Sequence, residues 1–182
     1  DTVQTVAAMG IDAIVVRHPS AGAPLRITDW TDATVINAGD GRHAHPTQAL
    51  LDMLTLRRHR GPSLDGLRVA IVGDVRHSRV ARSDVKALHL LGAEITLVAP
   101  PTLLPESLEG WPVQVAYDLD DVISELDVVM LLRMQFERQQ QALFPTVREY
   151  TARYGLTAAR AERLKPDALI MHPGPMNRGV EV

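Results

Sequence analysis

The sequence contains no cysteine, which excludes disulfides, thiolate metal ligands and a cysteine nucleophile, and suits a reducing compartment. Aromatic residues make up only 4% of the chain, too few for the stacking platforms that hold single-stranded nucleic acid. Positive charge is not in excess: 19 Lys and Arg stand against 22 Asp and Glu, for a net charge of −3. General attraction to nucleic acid or an anionic membrane is therefore not expected, and any anion must be bound locally. No apolar run approaches the roughly 18 residues of a membrane span, and nothing resembles a basic, apolar signal peptide. The expectation is a cytoplasmic protein. Over its 182 residues the chain is 46% hydrophobic and 23% charged, a composition that buries a core.

The order of elements is that of an α/β protein. Short apolar runs rich in β-branched residues at 12–16 and 34–37 read as buried parallel strands, with a short polar helix between them. Pro46 suits a first helical turn, and the spacing of Ala49, Leu50, Met53, Leu54 and Leu56 continues a helix to about Arg60, where Gly61-Pro62 stops it. Beyond that punctuation strands at 67–73 and 94–98 flank a helix at 78–91, a βαβ unit whose crossover is expected to be right-handed. Further strands are expected at 113–115, 127–131 and 167–171, with helices at 119–125, capped by Asp118, and at 146–163, broken near Gly155. The pattern predicts a doubly wound, Rossmann-like parallel sheet and a division near Gly61. Residues 1–60 alone are too few to form a whole domain. The apolar pattern Val3, Val6, Ala7 begins at once and no closing helix follows Gly179-Val182, so both ends read as cuts.

Ligands of open α/β sheets gather at the carboxyl ends of the strands, and here those ends carry Arg17-His18, His43 to Gln48, Gly73 to Arg79, Arg133-Met134-Gln135 and His172 to Pro175. Zinc is disfavoured, since no cysteine or evident carboxylate partner supports the i, i+2 pair His43 and His45, and no metal or cofactor is expected. Gly73-Asp74-Val75-Arg76-His77-Ser78 lacks the second and third glycines of a dinucleotide fingerprint. Ser78 and Ser83 have no nucleophile-elbow context. Anion recognition remains, because arginine matches carboxylate or phosphate bidentately while histidine and glutamine hydrogen-bond a carbonyl or amide. Arg57, Arg58 and Arg60 sit at a helix end that favours positive charge and receive no function.

His45-Pro46-Thr47-Gln48-Ala49-Leu50-Leu51-Asp52 resembles the carbamoyl phosphate-binding segment of the transcarbamoylase family. Arg17-His18-Pro19 and Asn37-Ala38-Gly39-Asp40-Gly41 resemble its flanks. The aspartate-using branch is matched by Gly73-Asp74 with Arg79, by Arg133-Met134-Gln135 with Glu137-Arg138, and by His172-Pro173-Gly174-Pro175, whereas the Ser-Met-Gly and His-Cys-Leu-Pro segments of ornithine-using members are absent. The resemblance implies a two-domain architecture with the first domain incomplete: 1–60 carrying part of the carbamoyl phosphate-binding domain and a linking helix, and 61–182 the aspartate-binding domain. It implies that Arg17 and His45 polarise the carbonyl of carbamoyl phosphate and Gln48 holds its amide. By the same resemblance Arg79, Arg133 and Gln135 bind L-aspartate, and Gly174 and Pro175, joined by a cis peptide, line the site. The products would be N-carbamoyl-L-aspartate and phosphate, with phosphate the proton acceptor.

The family's Ser-Thr-Arg-Thr phosphate loop, the Ser- and Lys-bearing loop lent by a neighbouring subunit, and the closing C-terminal helix do not occur in the 182 residues. An inactive fragment is therefore one expectation. A homotrimer with sites between subunits is implied, and regulatory or dihydroorotase chains are candidate partners whose contact surfaces leave no legible mark. The alternatives are an ornithine-type or other transcarbamoylase, and a non-catalytic relative used for binding or assembly. Retention of Arg79 and Arg133 weighs against the last.

Overall fold

A computed structural model of the chain describes residues 2–134 and 146–182. It holds two parallel sheets. Helix α1 (Thr2–Ala7) precedes strand β1 (Ala13–His18), helix α2 (Ala23–Thr28) and strand β2 (Thr34–Asp40), and β1 and β2 pair in parallel from Ala13 opposite Thr34. The register slips between Val16 and His18, where β2 carries one residue more than β1. Such a bulge re-aims neighbouring side chains, and here it lies beside Arg17. Helix α3 (Pro46–Arg60) then leads away, packing on β2 and along α4 (Arg79–Leu90).

The second sheet contains β3 (Arg68–Val72), β4 (Glu94–Val98), β5 (Gln114–Ala116), β6 (Val128–Leu131) and β7 (Leu169–Met171), in the order β5-β4-β3-β6-β7 and all parallel. The chain winds from β3 toward β4 and β5, then returns to β6 on the other side of β3. The doubly wound arrangement is therefore present, and its switch point lies between β3 and β6, where ligands of such sheets bind. β3 and β6 are almost wholly buried because both faces are covered, which explains their unbroken apolar runs. The core centres on Ile71, Leu97, Leu88, Leu103, Leu119, Ile123 and Met130.

α4 starts where expected, with the Ser78 hydroxyl accepting from Ala81 N at 3.1 Å. The break near Gly155 is also real, separating α5 (Val147–Tyr154) from α6 (Ala158–Ala161). The expected helix at 119–125 is not formed. Asp118 does cap, accepting from Asp120 N at 2.9 Å, but Leu119–Asp121 and Ile123–Glu125 form two separate 3₁₀ turns. Leu119 and Ile123 plug the core, and Leu126 is already extended ahead of β6. Too few residues remain for α-helical hydrogen bonding to propagate.

Candidate active site

Arg17 stands at the C-terminal end of β1, where its Nε donates to Ala38 O at 3.0 Å and its Nη2 lies 3.1 Å from His45 Nε2. The turn that brings His45 there is built around Asp40, which is 1% exposed. Its carboxylate accepts from Gly22 N at 2.7 Å, Asn37 Nδ2 at 3.0 Å and Ala44 N at 3.1 Å, and pairs with His43 Nδ1 at 3.0 Å. Burial alone would raise the Asp40 pKa, but these donors outweigh it and hold it below the ordinary value.

His45 is the N-cap of α3, and its backbone N–H donates to Ser83 Oγ on α4 at 2.8 Å. Around its ring, Nδ1 lies 3.2 Å from Thr47 Oγ1 and 3.3 Å from Gln48 N. Burial, Arg79 and Arg17, in that order, lower the His45 pKa, so the ring is neutral at physiological pH. One turn on, Gln48 Nε2 donates to Asp52 Oδ1 at 3.0 Å.

The β3–α4 turn supplies Arg79, whose Nη1 reaches Gly41 O at 3.4 Å. Gly39, at φ +116°, lets it pass: a Cβ there would lie 2.7 Å from the Arg79 Cζ. Arg133 follows β6. Its neighbour Met134 donates its N–H to Glu181 Oε1 at 2.6 Å, and Glu181 also accepts from Asn177 N and Nδ2, both at 2.8 Å. This buried glutamate ties the end of β6 to the segment after β7. In that segment Gly174–Pro175 is a cis peptide, as expected, and Gly174 N donates to His172 Nδ1 at 2.9 Å.

These residues meet. A cleft of about 250 Å³ is lined by Arg17, His45, Gln48, Arg79, Arg133, Gly174 and Pro175, together with Ser78, Val80, Leu132 and Pro173. Seven of the eight residues singled out from sequence line it; Gln135, with Glu137 and Arg138, lies outside the described residues. No Asp or Glu is among the described lining residues. Three guanidinium groups converge on this cleft, an arrangement suited to binding anions, and the N-terminus of α4 adds its dipole.

The sequence reading did not single out Asp40, Ser83 and Glu181 as supports. Asp40 passed as part of a glycine turn, and Ser83 and Glu181 act on residues 38 and 47 positions away. Asp52 lay within the quoted segment. Its i, i+4 spacing from Gln48 was a readable sign of a side-chain pair on one helix face.

Two family models cover the chain: aspartate/ornithine carbamoyltransferase, carbamoyl-P binding domain, over residues 1–58, and the Asp/Orn binding domain of the same enzymes over residues 65–182. The chain is 63% identical over all its 182 residues to the aspartate carbamoyltransferase catalytic subunit of Acidothermus cellulolyticus, of which it covers 56%. It is 59% identical to that subunit from Thermobifida fusca, covering 58% of it. Among solved structures, aspartate transcarbamoylase from Trypanosoma cruzi in complex with carbamoyl aspartate and phosphate matches with a TM-score of 0.86 at 31% identity, over 97% of this chain and 59% of that one. The same enzyme with carbamoyl phosphate and aspartate gives a TM-score of 0.84 at 31% identity, over 97% and 60%. The chain thus spans less than two thirds of these relatives. With both family models in register along it and five parallel strands around the switch-point cleft, the chain belongs to the aspartate/ornithine carbamoyltransferase family.

Proposed function

We propose that the whole protein transfers the carbamoyl group of carbamoyl phosphate to the amine of L-aspartate, giving N-carbamoyl-L-aspartate and phosphate, a step of pyrimidine biosynthesis. The observation that carries this reading is the single cleft into which one sheet sends Arg17, His45 and Gln48 and the other Arg79, Arg133, Gly174 and Pro175. The amine nitrogen attacks the carbonyl carbon, the carbon–oxygen bond to phosphate breaks, and the departing phosphate takes the proton of the amine. No carboxylate base is required, in keeping with the lining.

Arg17 and His45 take the carbonyl oxygen. The His45 Nδ1 faces a hydroxyl and a backbone N–H, so it can accept and leave the proton on Nε2. A carbonyl oxygen set between Nε2 and the Arg17 guanidinium then receives two donors, and both strengthen as the oxyanion forms. Gln48 holds the carbamoyl amide. Arg79 and Arg133 hold the two carboxylates of aspartate, and Gln135 joins them in this reading. Fixing the amine against the carbonyl carbon is chiefly a proximity effect. Two cationic residues on the acceptor side favour a dicarboxylate over ornithine, whose second amine would meet like charge.

The reading places 1–60 in a carbamoyl phosphate-binding domain and 61–182 in an aspartate-binding domain, in a cytoplasmic homotrimer with sites between subunits. Carbamoyl transfer, assayed with carbamoyl phosphate and either L-aspartate or L-ornithine, tests the function. Carbamoyl-aspartate is expected; product from ornithine alone would contradict it. Sedimentation of the whole protein at three subunit masses is the expected check on assembly.

A further inference from the structure

Two carboxyl groups behind the cleft have no part in the chemistry above. Asp84, on α4, has no exposed surface, and neither of its oxygens meets a hydrogen-bond donor. Asp52, on α3, is nearly as buried; its Oδ2 has no donor, while its Oδ1 accepts from Gln48. The two helices pack together, and the Asp52 charge acts on Asp84. Three orphaned oxygens make poor sense as two buried carboxylates, because desolvation and like-charge repulsion both oppose that state. Burial and Asp52 push the Asp84 carboxyl well above the ordinary range; burial raises Asp52 to about 6, against the pull of the Gln48 amide. Of the elements packed here α3 brings Asp52 and α4 brings Asp84, while the cleft cations Arg17 and Arg79 act on His45.

We propose that Asp52 and Asp84 share one proton across the α3–α4 seam, and that ionised Asp52 thereby fixes the Gln48 amide with its carbonyl oxygen toward the cleft, where it selects the NH₂ of a carbamoyl group. A proton carried by Asp84 donates to Asp52 Oδ2 and leaves Oδ1 charged. A carboxylate can only accept, so Gln48 must turn its NH₂ to Asp52 and keep Oε1 for the cleft. An acetyl group, with a methyl in place of NH₂, would leave that oxygen unpaired. Once Asp52 is protonated it can donate as well, and the amide is free to turn over. Asp52 and Asp84 are positioning residues, and their role rests on the carbamoyl phosphate reading.

The test uses the protein expressed from its complete reading frame. Infrared difference spectra of wild type against Asp84→Asn at neutral pH should show the carbonyl stretch of a protonated, buried carboxylic acid that the variant lacks. Absence of that band overturns the shared proton. Asp52→Asn should lower kcat/KM for carbamoyl phosphate about tenfold or more, and narrow the preference over acetyl phosphate as competing ligand by a similar factor. Its KM for aspartate should stay within about twofold. An unchanged preference overturns the assignment. The acid limb of the wild-type pH profile should move upward in Asp84→Leu and be restored in Asp84→Asn, which keeps an N–H donor; identical limbs overturn it. A wild type without carbamoyl transfer defeats the functional reading and with it the role of Gln48, while the infrared band still decides the shared proton.

Discussion

Arg17 Nη2 and His45 Nε2 stand 3.1 Å apart, so in the proposed reaction a carbonyl oxygen seated between them takes a donor from each. Burial and the neighbouring arginines lower the His45 pKa, which favours the neutral ring, while burial raises the Asp52 carboxyl to about 6. His45→Ala should reduce kcat about 10²–10³-fold, the typical loss for one oxyanion donor, with KM for aspartate little changed; steady-state kinetics checks this. Gly39→Ala is a sharper case. Its Cβ would meet the Arg79 guanidinium at 2.7 Å in a backbone conformation that suits glycine. KM for aspartate should rise about tenfold or more as Arg79 is displaced, and an unchanged KM would show that Arg79 has room elsewhere. That Arg17, His45 and Gln48 line one cleft was legible because residue types suited to anions and amides stand at strand and helix ends. Asp84 was not, since an acidic residue on a helix gives no sign in sequence that its carboxyl faces inward.

Among the elements, the strands were the most legible: Val69 to Val72 and Val128 to Leu131 are apolar without interruption because helices and loops cover both faces. The 119–125 segment was misread because Leu119 and Ile123 have helical spacing, yet the chain must turn out of it at once to enter β6. Arg60 shows the other limit. In sequence it is only a favourable charge at a helix end, but in the fold it bonds Asp167 through Nη1 at 2.5 Å and Asp127 through Nη2 at 3.4 Å, tying α3 to the approaches to β6 and β7. Asp127 also pairs with Lys165 at 2.7 Å. Burial works against its charge, but Lys165, the Arg68 N–H and Arg60 lower its pKa overall. Arg60→Ala should cost about 1–3 kcal/mol by urea unfolding. A depressed folded pKa gives stability above the unfolded value that is lost as pH falls through the folded one, so the deficit of the variant should shrink below about pH 4.

At the scale of the whole molecule the cleft is made by two sheets meeting, the first contributing β1, the head of α3 and its turn, the second the ends of β3, β6 and β7. The doubly wound order was legible from the alternation of elements. The α3–α4 packing that joins the sheets was not, because it depends on helix faces brought together only by the crossover. That seam carries Asp84, whose pKa is raised in the folded state. Such a group gives stability that is full below the unfolded value near 4 and declines as pH rises toward the folded one. Asn titrates nothing, so the Tm of Asp84→Asn relative to wild type should rise as pH increases from about 4, the unfolded value; a difference that does not change with pH would contradict the raised pKa. The proposed function has the two sides of one cleft hold two different substrates. Its most direct measurement is Arg133→Ala with both substrates varied: KM for aspartate should rise at least about tenfold, as expected when one of two carboxylate clamps is lost, while KM for carbamoyl phosphate stays near wild type. Equal changes in both, or none in either, would contradict it.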